Sequence, residues 1–126
     1  VKELTNGIGA DVIYDPVGGD VFDESIRCIN WGGRLLVIGF AGGRISNLPV
    51  NYPLIKGFSV IGVRAGEYGR KNPDLGKENI DIINNLANEG KLKPHICKSF
   101  SFERSLEALK YLKDRKSIGT VVISLS

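Results

Sequence analysis

Asp11-Val-Ile-Tyr-Asp15, Arg34-Leu-Leu-Val-Ile-Gly39 and Phe58-Ser-Val-Ile-Gly-Val63 are three short, β-branched runs whose starts fall 23 and 24 residues apart. They do not alternate with polar residues, which is the pattern of strands buried on both faces. Their spacing leaves room for the crossover of a dozen or more residues that joins parallel neighbours. A fourth run, Gly119-Thr-Val-Val-Ile-Ser124, closes the chain. The four runs are expected to be strands of a mainly parallel sheet in an α/β fold.

The first crossover has a helical pattern. Asp20 can cap it, Asp23 and Glu24 suit the first turn, and Phe22, Ile26 and Ile29 recur at i, i+4 and i+7 before Trp31-Gly32-Gly33 ends it. The second crossover contains Pro49 and Pro53 and has room for one short helix, Pro53 to Lys56, with Gly57 as its stop. A longer helix is expected from about Pro73 to Glu89, burying Ile80, Ile83, Leu86 and Ala87 and ending at Gly90. Pro94-His-Ile-Cys-Lys-Ser-Phe100 then has the pattern of a strand with one wet face, and Ser101 is placed to cap a helix carrying Leu106, Leu109 and Leu112. The change of texture near residue 91 suggests a second structural unit. Residues 1–7 resemble the last turns of a helix, and the absence of methionine fits a processed chain or a piece of a longer one.

Composition excludes several classes. The chain has 126 residues, 42% hydrophobic and 25% charged, as expected for one globular domain and not for a disordered segment. A net charge of +3, dispersed along the chain, does not make a nucleic-acid surface. No apolar run reaches the roughly 18 residues of a membrane helix. Cys28 and Cys97 are too few for a disulfide scaffold and fit a reducing compartment. His95 is the one histidine, and His95-x-Cys97 falls short of the roughly four ligands of a zinc site. The same scarcity argues against a Ser-His-Asp or Cys-His device.

Sixteen glycines are roughly twice the average usage. Six of them cluster after the predicted strands, in Asp15-Pro-Val-Gly-Gly19, Gly39-Phe-Ala-Gly-Gly43 and Val63-Arg-Ala-Gly66. In an open parallel sheet these loops share the carboxyl edge, where ligands bind, although tight turns also require glycine. Neither Gly7-Ile-Gly9 nor Gly39-Phe-Ala-Gly-Gly43 has the spacing and strand-to-helix setting of a pyrophosphate cradle. Asp15 could orient a ligand hydroxyl or cap its own loop. Arg64 could meet an anion or remain a solvated charge. Tyr52 and Tyr68 flank the loops as packing or stacking residues, and Lys110, Lys113, Arg115 and Lys116 suit the C-terminal end of a helix.

The ordered set 9–19, 32–41 and Pro53-Leu-Ile-Lys56 with Gly62-Val63 closely resembles the C-terminal part of zinc-independent quinone oxidoreductases of the medium-chain dehydrogenase/reductase superfamily. Gly90-Lys-Leu-Lys-Pro94 and Lys116-Ser-Ile-Gly-Thr-Val-Val122 extend the resemblance over essentially the whole chain. It implies the second half of a doubly wound, Rossmann-type parallel sheet in residues 1–90. Residues 91–126 would be a strand-helix-strand return into a catalytic domain. It further implies a cytoplasmic enzyme transferring hydride from NADPH to a quinone or α,β-unsaturated carbonyl, with no metal. The dimer it implies is a homodimer joined through strand 58–63.

Residue by residue, the resemblance puts Val17 and Gly18 near the nicotinamide ribose. It puts Gly39, Phe40 and Ala41 beside the nicotinamide, and Val63 and Arg64 at the crevice wall. No catalytic residue is implied in this region. Thr120 stands where many relatives carry lysine, which weakens any phosphate contact there. The parts deciding substrate, NADPH over NADH and the proton donor would lie upstream, so the 126 residues alone are expected to bind NADPH poorly and not to turn over.

Two other readings compete with this one. In the first, the chain is a stand-alone, non-catalytic Rossmann-like association module, which would have to manage an open edge at the first strand. The second is another doubly wound enzyme such as a methyltransferase, supported by fold analogy alone.

Overall fold

The computed structural model describes residues 1–125. Two compact units follow one another, Val1–Lys71 and Asn72 onward.

In the first unit a 3-10 turn, Glu3–Thr5, ends at Asn6 in a left-handed conformation. Strand β1, Ala10–Asp15, then leads into helix α1, Asp20–Cys28. The chain returns as β2, Ile29–Val37, crosses through the short α2, Asn51–Lys56, into β3, Ser59–Gly62, and ends in α3, Ala65–Lys71. The order is β1-β2-β3 and both pairings are parallel, as the unalternating runs and long crossovers required.

The core lies on one face of this sheet. Leu35, at the middle of the central strand, is 0% exposed and packs with Phe22 and Ile26 of α1 and with Phe58 just before β3. Ile13, Val37 and Leu48 line its margin. Phe22 and Ile26 stand one helical turn apart, so the predicted stripe of α1 is the one that is buried.

The second unit holds helix α4, Pro73–Asn88, then β4, Ile96–Ser101, a 3-10 turn at Phe102–Arg104, α5, Ser105–Lys113, and β5, Thr120–Ser124. β4 and β5 pair in parallel, so this is a strand-helix-strand unit. Phe100 and Ala108 are its buried apolar residues among those described.

Several expectations are corrected. The closing run pairs with β4 in a two-stranded sheet of its own and not with the first three strands. Gly19, at φ +57°, holds the N-cap position of α1, because the chain turns there through a conformation that disfavours a side chain. Ile29 and Trp31-Gly32-Gly33 belong to β2, where the register slips between Ala10↔Ile29 and Val12↔Arg34. Arg104, not Ser101, precedes α5.

Strand burial is uneven. Val12 and Tyr14, on one face of β1, are exposed, and β3, at the edge of the sheet, is exposed on both faces. Ile80, Ile83, Leu106, Leu109 and Leu112 are likewise exposed and Leu86 is half-buried. Helix α3 had no signal in the sequence analysis. Gly66 and Gly69 lower its intrinsic propensity, so periodicity and composition both passed over it.

Candidate functional site

Parallel strands end together, so the loops after β1, β2 and β3 emerge at one edge of the first unit's sheet. Asp15 ties the first two. It is 2% exposed, and its Oδ1 accepts hydrogen bonds from the Val17 and Gly18 amides, both at 2.9 Å. Its main-chain carbonyl accepts from the Ile38 amide at 2.9 Å and the Gly39 amide at 3.4 Å. Asp15 is therefore a loop cap. Its Oδ2 is buried and meets no hydrogen-bond partner among the described residues.

Further main-chain bonds lock the loops. Ala41 N donates to Pro16 O at 3.1 Å, and Gly42 N donates to Val17 O at 2.8 Å. The Gly19 amide donates to Ser46 Oγ at 2.8 Å. Gly18 has φ +69°, and a Cβ there would stand 2.9 Å from Phe40 Cδ1. A Cβ on Gly39 would stand 3.3 Å from Pro16 O. These two glycines are needed for close approach of one loop to the other.

Val17, Gly18, Gly39, Phe40 and Ala41 thus form one wall, with Phe40 presenting an exposed ring. Val63 and Arg64 line a cavity of about 410 Å³ with Tyr14, Ile38 and residues of α3, Ile38 being the residue before Gly39 of the wall. Val63 N donates to Val37 O at 2.9 Å, which extends the pairing of β3 to the cavity's edge.

The N-terminus of α1 faces this edge, but acids occupy it. Arg44 Nη2 donates to Asp20 Oδ1 at 2.8 Å and to Asp23 Oδ2 at 2.5 Å. Those two side-chain hydrogen bonds, Asp20 first, hold the Arg44 guanidinium above its ordinary value. Nothing in the sequence pointed to Arg44, which lies 24 and 21 residues from its partners. Glu67 and Arg70 at the cavity were also missed, since α3 itself was.

The remaining candidates stay outside. Tyr52 lines a different cavity, with Asp23, Asn47 and Lys56, and Tyr68 is half-exposed on α3. His95 precedes β4 and Cys97 is the second residue of that strand, and no group of three His, Cys, Asp or Glu able to hold a metal occurs among the described residues. Cys28 and Cys97 are free thiols. No helix among the described residues is long and apolar enough to cross a membrane.

A family model described as zinc-binding dehydrogenase matches residues 1–123. Quinone oxidoreductase-like protein 2 homolog of Nematostella vectensis is 42% identical over 125 residues, which cover 98% of this chain and 34% of the relative. A quinone oxidoreductase of Pseudomonas syringae pv. Tomato superposes with a TM-score of 0.78 at 25% identity, over 98% of this chain and 38% of its own. A mycobacterial protein solved with NADPH shares the fold at 23% identity, with a TM-score of 0.77 over 97% of this chain and 38% of its own. The chain spans about a third of the length of the curated relatives it matches.

Proposed function

The chain belongs to the zinc-binding dehydrogenase family, where it corresponds to the C-terminal portion of a quinone oxidoreductase-like medium-chain dehydrogenase/reductase, and we propose that it forms the nicotinamide-side wall of an NADPH-dependent quinone or enone reductase. In this reading residues 1–90 are the second half of the dinucleotide-binding domain and residues 91–126 the return into the catalytic domain. The observation that carries it is the pair of loops locked by Asp15, which holds Val17, Gly18, Gly39, Phe40 and Ala41 in one wall at the carboxyl edge of a parallel sheet. The NADPH named for the mycobacterial neighbour supports the choice of cofactor.

The residues present fit one half of such a cofactor. Bound there, NADPH supplies the hydride. Phe40 and Val17 offer an apolar surface to a planar ring, and the glycine main chain at 18 and 39 permits close approach. The pyrophosphate fits poorly, because Asp20 and Asp23 already take the positive end of α1 and would repel another anion. This chain therefore orients the reacting ring and keeps water from one side of it, contributing through position and not through an acid or base of its own. The isolated chain is accordingly inactive.

The enzyme works without zinc, in the cytoplasm, where Cys28 and Cys97 stay reduced. It is a homodimer joined through strand 58–63, since β3 ends the sheet with an unpaired edge. A monomer at high concentration in sedimentation would refute the dimer.

The site is tested by titrating the chain with reduced nicotinamide mononucleotide and following backbone amides by NMR. Shifts are expected at Val17, Gly18 and Gly39 to Ala41. Shifts absent there would overturn the site. Micromolar NADPH binding by calorimetry, or NADPH oxidation with a quinone by this chain alone, would overturn the division of labour.

A further inference from the structure

We propose that the cavity at the end of β3 selects a hydride acceptor bearing an anionic oxygen group, a carboxylate or phosphate, which Arg64 and Arg70 receive. The proposal rests on the oxidoreductase reading above and specifies its acceptor.

The cavity's charge comes from α3 and from Arg64 just before it. Tyr14 of β1, Ile38 after β2 and Val63 after β3 contribute a phenol and two aliphatic side chains, and α3 contributes Glu67 and Arg70 beside Arg64. Arg64 Nη2 lies 3.6 Å and Arg70 Nη2 3.2 Å from the same oxygen, Glu67 Oε2. One carboxylate between two guanidiniums leaves a net positive charge at the mouth of the cavity. Glu67 is the inner member, its side chain 27% exposed against 77% and 75% for the arginines. It holds both guanidiniums from beneath while they face solvent.

Stability gives no reason for such a triad. Exposed ion pairs contribute little, and the second arginine adds charge that Glu67 cannot neutralise. A guanidinium presents several N–H donors in a planar fork that matches a carboxylate or phosphate. Asp15, the acid next to Tyr14 in β1, does not cancel the field. It follows Tyr14 in the strand, so its side chain leaves the opposite face of the sheet and is buried there. A volume of about 410 Å³ is of the size that holds small molecules. Apolar walls and one cationic rim suit a short unsaturated chain ending in an anion.

The test uses the 126-residue chain at low ionic strength, where screening is weak. Crotonate and crotonamide, nearly identical in shape and different in charge, are titrated while arginine Nε–Hε and backbone signals are followed by NMR. Crotonate is expected to shift Arg64, Arg70 and the amides of 63–67 with at least tenfold lower Kd than crotonamide. Arg70→Gln should remove most of that preference. Arg27→Gln, which breaks an exposed i,i+3 pair with Glu24 that lines no part of this cavity, should not. Unchanged circular dichroism melts establish that both variants fold.

Equal affinity for the two probes, or equal crotonate shifts at Arg27 and at Arg70, overturns the proposal. Crotonate selection without nicotinamide shifts at Val17 and Gly18 overturns the oxidoreductase reading and leaves the anion site standing. Nicotinamide shifts without crotonate selection do the reverse.

Discussion

Replacing Asp15 tests whether one side chain locks the wall of the site. Asp15→Ala removes the acceptor of two amides, Val17 and Gly18, of which the Gly18 bond is fully buried. An unsatisfied buried amide costs about 1–3 kcal/mol, and the partly buried Val17 amide recovers some of its loss from water. Against this, alanine also removes a buried carboxylate whose Oδ2 meets no partner, which offsets part of the loss. The balance is a destabilisation of about 2 kcal/mol. Asp15→Asn keeps an acceptor for both amides at neutral strength, so about 1 kcal/mol is expected. Urea unfolding followed by the fluorescence of Trp31, which lies in the same unit, measures both. With a slope of about 2 kcal/mol per molar urea, the midpoint should fall by about 1 M for alanine and about half that for asparagine. Alanine unfolding within 0.2 M of the parent chain, or asparagine costing more than alanine, would refute the capping role.

Leu35→Ala opens a cavity at the fully buried centre of β2 and should cost about 2–5 kcal/mol; a loss under 1 kcal/mol in the same urea assay would mean the core lies elsewhere. Gly57→Ala combines φ +65° with a Cβ 2.5 Å from Trp31 ring atoms. It should cost about 1–2 kcal/mol in backbone strain alone, with the displaced indole adding to the loss, which the same urea assay measures. Glu107 is held below the ordinary glutamate range by hydrogen bonds from Arg104 and, more weakly, by the charges of Arg104 and Lys98. The stability it adds is present above about pH 4.3, the ordinary value, and is lost as pH falls through its lowered value. Carboxyl NMR titration should find Glu107 titrating late, and Arg104→Ala should return it towards ordinary.

The elements that local chemistry specifies were legible in advance. Unalternating β-branched runs located β1, β2 and β3, glycine at position 57 ended α2, and apolar residues at i and i+4 placed the buried stripe of α1. Glycine clustering pointed to the edge where Val17, Gly18, Gly39, Phe40 and Ala41 meet. Asp15 could be named as a polar residue ending a strand, but its two possible roles could not be separated.

What the amino-acid order determined by itself was periodicity, propensity and turn chemistry, because each depends on residues within about one helical turn or one strand. Contacts across long stretches of chain had to wait for the tertiary structure. Arg44 reaches Asp20 and Asp23 only once two loops are laid side by side. β5 chooses β4 over the first sheet, and helix α3 sets Arg64 and Arg70 on one carboxylate at the end of a strand. An apolar stripe also does not state what will cover it. Ile80, Ile83 and the leucines of α5 carry the period of a buried face yet stand exposed, since burial needs a partner surface and the local pattern encodes only the readiness to meet one.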